Sequence, residues 1–195
     1  MSRLQTIQNA LISINDTVFQ DLCDSFLFSI NGNYTAYSRT GSQDGKQKTK
    51  KGTPDSFFRD RNGRYVFVEY STNITTGISK LKSDIENCID VDKTKVPIQN
   101  IDKIILCYNF NLKPHEVQSL YNVIGGARIE LILYSLDALS LELCLNHRDL
   151  VHDYLNISFD TGQVVSIERF VEEYDKASKG IATPLNNPLF IEKKN

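Results

Sequence analysis

From Asp16 to Tyr134 the apolar positions switch between two periods, three-to-four and two, and the switch points divide the chain into helices and strands. Phe19, Leu22, Cys23, Phe26, Leu27 and Ile30 recur at helical spacing, which predicts a helix from about Thr17 capped by Asn15 or Asp16. After the turn Asn31-Gly32-Asn33, residues 34–39 alternate as a strand, and a loop rich in Gly, Lys and Gln follows over 40–53. Asn62-Gly63 between two apolar runs predicts an antiparallel hairpin of residues 55–60 and 64–72, with both turn residues at positive φ in a type I′ turn. Ile78, Leu81, Ile85, Cys88 and Ile89 mark a helix over 78–89, and 101–110 reads as a nearly unbroken apolar strand. A helix from Pro114 to about Ile124, the pair Gly125-Gly126 and a strand over 128–134 follow.

Beyond Ser135 the pattern turns helical, over 136–145, about 147–155 and 167–177, with a turn at 160–163; residues 180–195 lose periodicity and read as a linker. Helix, three antiparallel strands, helix, then strand–helix–strand describes an α/β protein with a mixed sheet flanked by helices. The expected organisation is a core over 1–135, a helical extension packed on it over 136–180, and a linker over 181–195 toward an absent downstream module.

Composition changes this picture little. The 195 residues are 41% apolar and 24% charged, which are globular values. No stretch approaches the roughly 20 apolar residues that span a bilayer, and MSRLQTIQNA lacks a signal-peptide core, so the expectation is a cytoplasmic protein that does not engage a membrane. Cys23, Cys88, Cys107 and Cys144 lie far apart in apolar contexts and read as small buried hydrophobes. His115, His147 and His152 lack metal-ligand spacing and read as surface or helix-packing residues. The net charge is −2, yet Lys46, Lys48, Lys50 and Lys51 crowd the approach to Pro54-Asp55, where they are candidates to contact nucleic-acid phosphates.

One residue does not fit a structural role. In Tyr65-Val66-Phe67-Val68-Glu69-Tyr70 both strand faces are apolar, as in a central strand, so Glu69 is a carboxylate in surroundings that cost several kcal/mol without a compensating cation. A short hairpin brings Asp55 alongside it. Two hard oxygen donors suit Mg²⁺ or Mn²⁺ better than zinc.

Pro54-Asp55, a hairpin, then Glu69-Tyr70-Ser71 resembles the PD-(D/E)XK nuclease superfamily, with Ser71 where that pattern has lysine. The resemblance implies a restriction-endonuclease-like fold and a metal held by Asp55, Glu69 and the backbone carbonyl of Tyr70. It also implies a lysine supplied from the following helix by Lys80 or Lys82, and a first-helix side chain reaching toward the metal, for which Gln20 is the candidate and Asp24 the reserve. Ser71 itself would at most hydrogen-bond a metal-bound water. The wider combination KKGTPDSFF, VFVEYSTN, KLKSDIENCID, HRDLVHDYLNISFDTGQVV and ATPLNNPLF resembles the N-terminal effector domain of bacterial antiviral STAND (NACHT-type) NTPases; the G-x-x-x-x-G-K-S/T loop of their ATPase is not in this chain. What that implies is a Mg²⁺-dependent endonuclease that cuts double-stranded DNA with little sequence specificity once oligomerisation brings several copies together. The alternative is a nuclease-like fold that has lost its chemistry and serves as a nucleic-acid-binding or oligomerisation module.

Overall fold

The computed structural model describes residues 2–40 and 52–158, which belong to one compact unit running from Met1 to Ser158. Asn15, in extended conformation, caps α2 (Asp16–Ile30) by accepting the Thr17 amide, and the stripe predicted for that helix is buried from Phe19 to Leu27. A helix absent from the sequence expectation precedes it: α1 (Arg3–Ser13), capped by the Ser2 hydroxyl and burying Ile7 and Leu11.

Five strands form one mixed sheet in the order β1 (Thr35–Arg39), β2 (Ser56–Arg59), β3 (Tyr65–Ser71), β4 (Ile101–Tyr108), β5 (Glu130–Tyr134). The first three pair antiparallel. Two crossovers, through α3 (Gly77–Ile89) with the one-turn α4 (Val91–Thr94) and through α5 (Pro114–Ile124), make β3–β4 and β4–β5 parallel. Pro114 opens α5 where no amide is needed, and the Glu116 carboxylate takes the Lys113 amide. Every residue of β3 from Val66 to Ser71 is buried, as a central strand covered on both faces requires.

The two faces have different cover. Phe67, Ile104, Leu106 and Leu131 pack with Leu81, Ile85 and Cys88 of α3 and Leu120 of α5. On the other face Phe26 of α2 stands edge-on to Tyr134 of β5, and Phe28 meets Tyr37 and Phe58 of β1 and β2. Helices α6 (Leu136–Asn146) and α7 (Arg148–Leu155) pack against α1 and α2 within the same unit, so no break between compact units falls at Ser135. The predicted helix over 167–177, the turn at 160–163 and the linker lie outside the described residues. Among the described residues no helix is long and apolar enough to cross a membrane.

The hairpin joining β2 to β3 exists, but its turn is not type I′. Only Gly63 has positive φ (75°), and the turn closes by the Gly63 amide donating to the Asp60 carbonyl at 3.0 Å. The Asp60 carboxylate accepts from the amides of Asn62 and Arg64, both at 2.8 Å. That side-chain capture holds Asn62 at negative φ and makes the loop one residue longer, with Gly63 as the left-handed bulge.

Candidate active site

The antiparallel register carries the site. Ser56 faces Val68 and Phe57 faces Phe67, and Asp55, the residue just before β2, lies near enough to Glu69 for its charge to act on that carboxyl. The backbone amide of Tyr70 donates to Asp55 Oδ2 at 3.1 Å and holds the Asp55 carboxylate against β3. Tyr70 thus contributes its amide to the site, while its side chain turns to the other sheet face.

Both acids open into a cleft of about 480 Å³ at the carboxyl end of β3, lined also by Gln20, Ser71, Lys80 and Asp84. Ligand sites in open α/β sheets favour this end of the strands. Glu69 is 3% exposed, and among the described residues its hydrogen-bond donor is the Cys88 thiol, 3.5 Å from Oε1. Burial first, then the charges of Asp55 and Asp84, push its carboxyl well above the ordinary range, with the Lys80 ammonium pulling the other way. Cys88 therefore does more than fill space beneath the sheet.

Lys80, on the first turns of α3, contacts Asp84 with its ammonium 2.6 Å from each carboxylate oxygen. Asp84 is buried, and that burial raises its carboxyl pKa against the opposing pull of Lys80. At four residues' spacing the pair reads in sequence as a surface ion pair; the structure turns it into the wall of the cleft. Lys82 does not join it: two residues on, about 200° around the helix, it is absent from the cleft lining.

Gln20 is 4% exposed, lines the cleft, and its amide donates to Ser56 Oγ at 3.5 Å. Asp24, the reserve candidate, goes elsewhere. It accepts from the hydroxyls of Tyr37 and Tyr70 and pairs with Arg39 (2.6 Å), which also reaches Asp21 (2.6 Å), so that α2 is tied to β1 and β3. Ser71 is 4% exposed with an Oγ that has no hydrogen-bond partner among the described residues, and it too lines the cleft. Lys46, Lys48, Lys50 and Lys51 lie outside the described residues.

Comparison with family models, curated proteins and solved structures returns no match.

The donor set favours a hard cation. Among the described residues no group of three or more His, Cys, Asp or Glu side chains forms a ready-made ligand cage; the acids converge as the pair Asp55 and Glu69, with Asp84 turned to Lys80. Among the described residues the buried Glu69 carboxylate faces a second carboxylate, while the nearby Lys80 ammonium is engaged by Asp84, and a small divalent ion with oxygen ligands fits such a donor set. Cys23, Cys88 and Cys107 are buried, Cys144 is half-buried, and all four thiols are free. His147 packs edge-on against Phe26 and contacts Ser29, while His152 meets its neighbour Asp153 on the surface.

Proposed function

We propose that the chain is a metal-dependent endonuclease with a PD-(D/E)XK-type site and a restriction-endonuclease-like fold, cutting double-stranded DNA with little sequence preference. The observation that supports this reading is that Asp55 and the buried Glu69 line one cleft, near enough for the Asp55 charge to act on the Glu69 carboxyl. These two carboxylates would hold Mg²⁺ or Mn²⁺, which supplies Lewis-acid polarisation of a phosphate and a more acidic water.

The protein's own groups divide the remaining work. Asp55 is held in place by the Tyr70 amide and Glu69 by the Cys88 thiol, so both ligands are oriented before any ion arrives. Lys80 stands in for the lysine that Ser71 replaces. Burial opposes its charged form, but the hydrogen bond and charge of Asp84 outweigh that and raise its pKa, so it acts as a fixed cation offsetting charge on the phosphate rather than as a base. Gln20 and Ser71 offer neutral hydrogen-bonding groups to a water or a phosphate oxygen.

The charge of the cleft supports the same reading. Its described lining carries Asp16, Asp55, Glu69 and Asp84 against the single ammonium of Lys80. Among these described carboxylates a phosphodiester is better accommodated when a divalent cation accompanies it. Activation by oligomerisation, as in a STAND effector, rests on the sequence resemblance.

The test is to fuse the full chain to a tetramerising tag and incubate it with plasmid DNA and Mg²⁺ or Mn²⁺. Cutting that is lost in both Asp55→Ala and Glu69→Ala supports hydrolysis at this site. DNA binding with no cutting at any metal concentration overturns it in favour of a nucleic-acid-binding or oligomerisation module.

A further inference from the structure

The Lys80–Asp84 contact has a consequence for how the acids stay available. An ammonium on a flexible four-carbon stem, lining the same cleft as two carboxylates, is a natural competitor of any metal for them. Glu69 is the deeper and less compensated of the pair, and an unrestrained Lys80 would find its best partner there. In the structure it does not: its ammonium lies 2.6 Å from both oxygens of Asp84, one helical turn away on the same rigid element. Asp84 itself is too buried to be satisfied by water, so the contact meets a need on both sides. The Ser71 Oγ, buried in the same cleft and without a hydrogen-bond partner among the described residues, is not reached by Lys80, whose ammonium is held on α3.

We propose that Asp84 is a positioning residue: by chelating the Lys80 ammonium it keeps that cation off the Asp55–Glu69 pair and leaves the pair open to a divalent metal. The inference rests on the metal-site reading above. It differs from a role for Asp84 as a ligand, because it acts through Lys80 and vanishes when Lys80 is removed.

Calorimetric titration of Mn²⁺ into the full chain, without DNA, tests it. Wild-type protein binds Mn²⁺ and Asp55→Ala does not. Asp84→Asn weakens binding by about 10-fold or more, as loss of an outer partner of a metal site typically does. Asp84→Glu, which keeps the charge, stays within about threefold of wild type, and Lys80→Met placed on Asp84→Asn restores the lost affinity. The decisive comparison is a double-mutant cycle. Removal of Lys80 improves Mn²⁺ binding much more in the Asp84→Asn background than in the wild type; equal factors in both would mean independent charges and overturn the proposal. Asp84→Asn protein that keeps its circular dichroism spectrum and binds as wild type does also overturns it. Wild-type protein that binds no Mn²⁺, or Asp55→Ala protein that binds it normally, brings down the metal site and this inference with it.

Discussion

Glu69→Gln removes a charge from a place where the fold can scarcely hold one, and its effect on stability can be worked from the structure. In metal-free protein the folded-state pKa of Glu69 lies well above its ordinary 4.5, because burial and the neighbouring Asp55 and Asp84 charges all oppose ionisation. Folding therefore takes up about one proton between 4.5 and the raised pKa. Stability from this group is fully present below 4.5 and is lost as pH rises, at about 1.4 kcal/mol per pH unit, until the folded pKa is passed. Glutamine of the same shape has no proton to lose. In EDTA, wild type should therefore lose stability relative to Glu69→Gln as pH rises above 4.5 and until the folded pKa is passed, each kcal/mol lost lowering the thermal midpoint by about 3 °C for a unit of this size. Saturating Mn²⁺ should recover the wild-type midpoint at pH 7 and leave the variant unmoved. Parallel pH profiles for the two proteins in EDTA would refute the reasoning, since they would mean that Glu69 ionises in the folded chain as easily as in the unfolded one.

Further outcomes follow from individual contacts. Lys80→Ala should reduce plasmid cutting by the fused chain about 100-fold or more, whereas Lys82→Ala, off the cleft, should stay within about threefold; equal losses would remove the assignment. Arg39→Leu strips the cation from Asp24, 5% exposed, but leaves it two tyrosine hydroxyls, so the cost falls at the lower end for a broken buried pair, about 3 kcal/mol by urea denaturation. A change under about 0.5 kcal/mol would show that this network is not needed. Gly77→Ala puts a Cβ 3.0 Å from Phe110 Cε2 at the start of α3 and should cost about 1–2 kcal/mol; a gain in stability would mean that Phe110 yields and helix propensity wins.

Much of this architecture was legible because periodicity and punctuation agreed. The two-faced apolar run of β3 announced a central strand, and Glu69 was conspicuous within it because a carboxylate there breaks the pattern. Asp55 followed from counting back across the hairpin, and Lys80, Gln20 and Ser71 line the same cleft. The misses have physical causes. Helix α1 carries Ser2 as its cap and Leu4, Ile7 and Leu11 at helical spacing, a short stripe that is readable in the sequence. Asp84 was hidden by its own partner, since an i,i+4 Lys–Asp pair looks alike in sequence whether solvated or walled into a cleft. Asp24 and Gln20 sit four residues apart on one helix, and only the positions of Arg39, Tyr37 and Tyr70 send the first into a structural network and leave the second at the cleft. The turn type was missed because Asp60, not Asn62, governs the loop.

Anomalous diffraction from crystals of the full chain soaked in Mn²⁺ reads the central claim most directly. The account predicts a peak within coordination distance of both the Asp55 and Glu69 carboxylates, absent from Asp55→Ala crystals, with Lys80 still on Asp84. A cleft that stays empty under saturating Mn²⁺, or an ion bound away from Asp55 and Glu69, would contradict it.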